Sequence, residues 1–344
     1  MTATRRLAAA LALALVVSAC GGQAAAPSPS AAPSASPTAT PKPSPAKLVI
    51  SYSNPIADFL PFWIGLDAGI FAENAVDAEL QSIASAQGVA ALVSGQTQAA
   101  GIGGSEILSA AAAGADLVVV ATLVGVYPHL FEVAPDIKSA ADLKGKKIGV
   151  SSIGSSSDIA TRVLLRRIGL DPDKDVTIVA LGSTDQRTAA LISGAIQGAV
   201  TLVPDTLLVE DKGFKPLYDL GALNLPASQT VVAVQRSLVT SKRDVVQRLV
   251  DAVVLSAARM RKDRALSIAT LKKWLKSSDD RAMTATYEKY ALPDIAVLPY
   301  PSAEQFKDAQ ETLGAKSDAV KKFDLAKLLD RTFVQSAADR GLAR

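Results

Sequence analysis

The sequence predicts an α/β fold of two similar lobes facing each other across a cleft, followed by a helical C-terminal segment. Three observations support this. From Lys47 onward, short β-rich runs alternate with helical patterns, as in the βαβ units that build parallel sheets. A frame AAL-[VI]-SG, then a short polar link, then a strand, occurs in "AALVSGQTQAAGIGGS" (90–105) and again in "AALISGAIQGAVTLVPD" (189–205). After Gln235 the strand patterns stop and amphipathic periodicity takes over.

In order, "KLVISYS" (47–53) precedes a helix around Phe59–Phe71, and "DAELQSI" (77–83) precedes "QGVAALVSG". "QAAGIGG" (98–104) leads to "SEILSAAAAG", followed by "DLVVVATLVG" (116–125) and "HLFEVA" (129–134) as further strands. "KKIGVSS" (146–152) leads to a helix around Asp158–Ile168, "VTIVALG" (176–182) to "DQRTAALISG", and "GAVTLVP" (198–204) to "DTLLVEDKG". "TVVAVQ" (230–235) is the last clear strand. In Lys242–Met260, Val246, Leu249, Val250, Val253, Ala257 and Met260 recur at helical spacing, which makes a packing face. "FDLAKLLDRTFVQSAAD" near the C-terminus reads the same way.

The chain has 344 residues and is 49% hydrophobic, enough for a core of two lobes. A net charge of +3 with interspersed signs, and sparse aromatics, gives no footprint for nucleic acid. One cysteine and one histidine exclude a zinc site built on those ligands, and nothing implies a metal or another cofactor. No G-x-S-x-G and no G-x-x-x-x-G-K-[ST] occurs, and no S-x-x-K follows the serine cluster, so neither a nucleophilic serine nor a nucleotide loop is supported.

The first 19 residues have the layout of a secretory signal peptide, with Arg5 and Arg6 before an apolar run from Leu7 to Val17. As a helix that run rises only ~16 Å, about half of a hydrocarbon core, so it is not a span. "VVSAC" before Gly21 resembles a bacterial lipobox, which implies cleavage before Cys20 and lipidation of its sulfur. With no second thiol, the fold has no disulfide. The stretch 20–46 carries seven prolines and almost no large apolar side chain, and it reads as a disordered tether with a reach on the order of 70 Å.

Hydroxyls and amides recur after the strands: Ser53 and Asn54, Ser85 and Gln87, Ser105, Ser151 and Ser152, Ser155 to Ser157, Ser183 and Thr184, then Asp205. "SSSD" (155–158) and "STDQ" (183–186) also place a hydroxyl where a helix N-cap is expected, worth ~1 kcal/mol each. For any single residue the cap reading stands beside a ligand reading. Parallel strands would bring the whole set together, and hydroxyls with helix N-termini bind anions. The loops lack a lysine, which favours an organic acid or sulfonate over a bare inorganic anion. Asp205 is either an acceptor for an amine, as in a zwitterion such as taurine, or an N-cap. Phe59, Phe62, Trp63 and Tyr127 either wall a ring-bearing ligand or belong to the core.

The segments "FLPFWIGLDAGIFAENAVDAEL", "GVAALVSGQTQAAGIGGS", "DIKSAADLKGKKIGVSS", "SDIATRVLLRRIGLDP", "DQRTAALISGAIQGAV" and "FDLAKLLDRTFV" resemble the substrate-binding proteins of bacterial ABC importers. The similar group takes aliphatic sulfonates, taurine, nitrate and thiamine-precursor pyrimidines. The resemblance implies a type II periplasmic-binding-protein fold, with lobe I at 47–132 and 230–344 and lobe II at 133–229. Crossover strands are then expected near Val120–Val133 and Thr230–Val234. It also implies a monomeric, lipid-anchored solute-binding protein on the extracytoplasmic side of the cell envelope, which serves an ABC permease and its ATPase. Two other classes remain open. One is a receptor-type sensor domain, for which no signalling segment is seen. The other is the pyrimidine-synthesising enzyme of the same superfamily, which implies a cysteine-rich motif and an active-site histidine. Here no cysteine follows Cys20, and the single histidine, His129, falls in the expected crossover.

Lipidation at Cys20 makes a direct prediction. Cys20→Ser is expected to leave the membrane fraction or to accumulate as uncleaved precursor. Mature Cys20→Ser protein that still partitions as a lipoprotein overturns the assignment.

Overall fold

The computed structural model describes residues 43–344; the signal-like segment, Cys20 and nearly all of the Pro-rich stretch lie outside the described residues. Ten strands form two five-stranded mixed sheets. The strands are β1 (Ala46–Tyr52), β2 (Val76–Ser82), β3 (Ala99–Ile102), β4 (Leu117–Val126), β5 (Leu130–Val133), β6 (Lys147–Val150), β7 (Thr177–Ala180), β8 (Gly198–Thr201), β9 (Lys215–Asp219) and β10 (Pro226–Gln235). The first sheet has the order β2-β1-β3-β10-β4 and the second β7-β6-β8-β5-β9. In each, three parallel strands are followed by an antiparallel one, β10 or β5. The duplicated sequence frame therefore marks equivalent places in two sheets of one topology.

The antiparallel strand of each sheet is the one that arrives from the other sheet. The chain leaves the first sheet after β4, passes through residues 127–129, and enters the second as β5. It returns through residues 220–225 and pairs as β10 with both β3 and β4. Two expected boundaries shift accordingly. Leu130–Glu132 pair with β8 and belong to the second sheet, not to a lobe ending at 132. Thr230–Val234 are not a crossing either: Val231 pairs with Ile102 and Val234 with Ala99, inside the first sheet. The apolar run reads as a crossing strand, but its pairing on both sides fixes it in one sheet.

Helices α1 (Leu60–Asp67) and α2 (Ile70–Glu73) follow β1 and replace the single helix expected there, because Gly69 at φ +74 breaks the run. Then come α3 (Ser85–Ser94), α4 (Gly104–Ala112), α5 (Ser156–Arg167), α6 (Thr184–Ile192) and α7 (Asp205–Glu210). Strand β9, "KPLYD", has no clear strand pattern; as an edge strand it tolerates Pro216. After β10 the chain is helical: α8 (Arg236–Ser241), α9 (Arg243–Lys262), α10 (Arg264–Trp274), α11 (Asp280–Thr286), α12 (Leu292–Asp294), α13 (Lys307–Gly314), α14 (Asp318–Lys321) and α15 (Thr332–Asp339). This segment covers the open edge of β4. Val119 and Thr122 donate to the carbonyls of Leu328 and Pro299, and Ala296 donates to that of Leu123, so the edge is paired. Among the described residues no helix is long and apolar enough to cross a membrane.

The core has three parts. One apolar cluster packs α1 and α9 on the first sheet, with Trp63 and Trp274 stacked at 5.6 Å. A second is continuous between the sheets and joins Ile102, Val119 and Val231 to Phe131, Ile148 and Val200 through side chains of α4, α5 and α13. A small third cluster, around Leu191, Val209 and Phe214, covers the other face of the second sheet. The carboxyl of Glu132 on β5 is fully buried and finds no hydrogen-bond partner. Burial, with Glu210 as a second cause, pushes it up to about 8. A raised carboxyl stays protonated in the folded state while it ionises in the unfolded chain, so stability is lost as pH rises from about 4.5 towards 8. Glu132→Gln is expected to raise Tm at pH 8 by about 1–2 °C, the shift that roughly 1 kcal/mol makes in a fold of about 300 residues. The gain should vanish by pH 4.5 in a pH series of thermal melts.

Candidate functional site

The parallel strands of both sheets end at one cavity of about 50 Å³. Because loops after parallel strands collect at the C-terminal edge, the residues that follow β1, β3, β6 and β8 converge there. Eight of the thirteen residues expected to bind ligand line it. Ser53, Asn54 and Ser85 come from the first sheet's side, and Ser151, Ser155, Ser156, Ser157 and Thr184 from the second.

The other five lie elsewhere. Gln87 is exposed on α3, and Ser152 uses its carbonyl to accept from the Ser155 hydroxyl at 2.7 Å. Ser183 closes a capping box with Gln186 at the start of α6. Ser105 is buried and donates to Glu106 Oε2 at 2.7 Å. Asp205 does not line the cavity; it opens α7 and faces a surface groove with Leu208 and Arg281.

The serine loop is held by its own hydrogen bonds. Ser151 donates to Ser155 Oγ at 2.8 Å, and the Ser157 hydroxyl stands 2.9 Å from Ser151 Oγ. Ser155 also caps α5 by accepting from Asp158 N, so cap and cavity lining are one residue. Ser156 reaches across and donates to the Gln229 carbonyl on β10 at 3.0 Å.

Below the loop, Asp158 accepts from Gly154 N and from Arg162 Nε, each at 2.8 Å, and both side chains are almost fully buried. Arg162 continues to Asp173, which Lys316 also reaches at 2.9 Å from the C-terminal segment. Breaking a buried pair strands a charge and costs about 3–5 kcal/mol, whereas an exposed pair is worth less than about 1.

The sequence reading missed the cation. Arg187 on α6 lines the cavity and is 5% exposed. Its Nη1 donates to the Gly182 carbonyl and its Nη2 to Thr184 Oγ1, while Nε has no acceptor. Burial lowers it to about 10, with Asp205 and Asp185 opposing, so it remains charged at neutral pH. Asp205 stands behind it, raised to about 6 by burial and held down by Arg187. A helix-borne arginine in "DQRTAALISG" carries no signal of its own; only the capping serine that starts the helix at the cavity betrays it.

His129 is also missed. The crossover that contains it runs along the cavity, where burial and then Arg187 lower its imidazole to about 3, so it is neutral. Gln229 and Thr230 arrive on β10. The Thr230 hydroxyl donates to Asp58, which also accepts from Tyr290, and that carboxyl is raised by its burial.

The aromatic wall is not there. Phe59, Phe62 and Trp63 are fully buried in the core, and Tyr127 is buried beside the cavity with its hydroxyl donated to Asp308 at 3.2 Å. The aliphatic side chains at the cavity are Ile56 and Leu202. Among the described residues no cluster of three or more potential metal ligands occurs.

With this geometry established, comparison with known proteins places the chain. Residues 56–264 match the family model described as NMT1/THI5 like. The chain belongs to that family. Among solved structures, the alkanesulfonate-binding protein SsuA of Xanthomonas axonopodis pv. citri, bound to MOPS, aligns with a TM-score of 0.70 at 23% identity, over 84% of this chain and 99% of that one. The periplasmic aliphatic sulphonate binding protein SsuA of Escherichia coli gives 0.66 at 23%, over 81% and 95%. The periplasmic nitrate-binding protein NrtA of Synechocystis PCC 6803 gives 0.69 at 15%, over 86% and 89%. These likenesses establish the fold as that of periplasmic binding proteins. Curated protein sequences give no significant match.

The buried network makes a stability prediction. Arg162→Met is expected to destabilise the chain by about 3 kcal/mol or more, and Lys316→Met by less than about 1. Denaturant melts of the two variants check the ranking, and equal losses overturn it.

Proposed function

We propose that this chain is the extracytoplasmic solute-binding component of an ABC importer, and that it captures a small anionic or zwitterionic organic solute of the sulfonate or taurine kind. One observation carries the reading. Arg187 is a buried guanidinium that lines a small cavity rich in hydroxyls, and its Nε–H has no acceptor. Desolvating a cation is costly unless an anion compensates it, and hydrogen bonds to charged groups contribute about 1.5–3 kcal/mol each. Four or five such bonds support micromolar affinity, near −8 kcal/mol. The fold neighbours described as sulfonate- and nitrate-binding agree with an anion receptor. The lobes follow the two sheets, with a first lobe at 47–126 and 226–344 and a second at 130–219. Closure about the two crossovers brings Arg187 and the serine loop against Ser53, Asn54 and Ser85, the behaviour of hinged binding proteins. Lipidation at Cys20 would anchor a monomer beside its permease. A binding role without catalysis fits a cavity whose histidine is neutral and distant in sequence from any cysteine.

A pyrimidine or other heteroaromatic solute is the weaker reading, because the expected aromatic residues are in the core. Calorimetry of the full chain against ethanesulfonate, taurine, nitrate and hydroxymethylpyrimidine, with small-angle scattering on the same samples, tests the proposal. Sulfonate binding with a fall in radius of gyration is expected, and Arg187→Met should weaken it about 10- to 100-fold. Pyrimidine binding that is indifferent to Arg187→Met overturns it.

A further inference from the structure

The cavity is polarised in a way that an anion alone does not satisfy. At one side stands Arg187, with an Nε–H that lacks an acceptor. At the other stands Glu106, in the first turn of α4, whose carboxylate lines the same cavity. Among the described residues neither side chain has an ion-pair partner within 4.0 Å, although 17 other such pairs form. Gln229, which lines the same cavity, is 6% exposed and its Oε1 accepts no hydrogen bond. So the first sheet presents a carboxyl without a counter-ion and an amide oxygen without a donor, and the second a cation without a counter-ion whose Nε–H lacks an acceptor.

Local packing keeps the carboxylate at the cavity. Ser105 Oγ donates to Glu106 Oε2 at 2.7 Å and fixes its rotamer. Gly103 supplies the room: a Cβ there would lie 2.2 Å from Glu106 Oε2 and 2.3 Å from Ser156 Oγ, closer than atoms can approach. Its backbone is ordinary, so the glycine is required by the carboxylate beside it and not by the turn. A simple anion placed against Arg187 would leave Gln229 Oε1 without a donor and would bring no cation to the Glu106 carboxyl, which its burial raises. An ammonium group satisfies both acceptors, since it offers three donors and the complementary charge.

We propose that Glu106 is the specificity-determining residue of this cavity: it receives a protonated amine, and the solute is amphoteric, with its anionic group on Arg187. This rests on the reading of the cavity as an anion-binding site. Because Glu106 belongs to the first sheet and Arg187 to the second, such a solute ties the two lobes together through both of its charges.

The matched pair taurine and ethanesulfonate, which differ by one amine, separates the two claims by calorimetry on the full chain. The wild-type chain is expected to bind taurine at least tenfold tighter than ethanesulfonate. Glu106→Gln, a near-isosteric change, should abolish that preference while ethanesulfonate binding persists and reports an intact fold. If Glu106→Gln does not accumulate folded, Glu106→Asp, which withdraws the charge by one methylene, should weaken taurine alone. Equal affinity for both sulfonates in the wild type, or a preference that survives Glu106→Gln, overturns the role of Glu106 and leaves the anion site standing. Failure of both sulfonates to bind the wild-type chain overturns the anion site and this proposal together.

Discussion

Each sheet is completed by a strand that the other sheet sends to it, and the rest of the molecule follows from that exchange. Strand β5 fills the place between β8 and β9, and β10 the place between β3 and β4. Backbone amides and carbonyls must be paired when buried, so neither sheet reaches its observed ladder without the other's chain. The two connections, 127–129 and 220–225, are thereby confined to the gap between the sheets. His129 comes to the cavity on the first of them, while Gln229 and Thr230 come on the strand that the second delivers. The apolar cluster shared by α4, α5 and α13 fastens the sheets on one side, and the strand C-termini leave a polar gap.

Within that gap, hydroxyls and the guanidinium have different tasks. The Ser151, Ser155 and Ser157 hydroxyls are largely occupied with one another and with the helix cap. Neutral groups that satisfy each other are cheap to bury, so they fix the shape of the loop. Arg187 brings the charge. Its five donors are only partly used, and the residue lines the cavity. A serine-rich loop read alone looks like the whole receptor; in three dimensions it is the mould and Arg187 is the attractor.

One buried carboxylate stabilises each wall. On the second sheet's side, Asp158 joins the Gly154 amide to Arg162 and sets the serine loop on α5. On the first sheet's side, Asp58 accepts from Thr230 and Tyr290, and so ties the start of α1, strand β10 and the C-terminal segment together. Both are satisfied by several donors, the condition under which a buried carboxylate is tolerated. Glu132 lacks that condition, and it rests in the protonated form instead.

The alternation of strand and helix, the duplicated frame and the capping serines are local or periodic signals, and the sequence by itself determined the α/β class, nearly every strand, the caps at Ser155 and Ser183, and the edge at which a site would form. Eight of the expected cavity residues were legible for the same reason, since a hydroxyl directly after a parallel strand has few places to go. Tertiary structure alone decided which sheet Thr230–Val234 join, because an apolar strand pairs equally well on paper with either. It alone decided that Phe59, Phe62 and Trp63 are core, since helix-borne aromatics look the same on a wall as in an interior. It decided the charges too: Asp205 turns behind Arg187, and Glu106 turns in. The direction of a side chain depends on the packing of neighbours far away in sequence, and no local pattern records it.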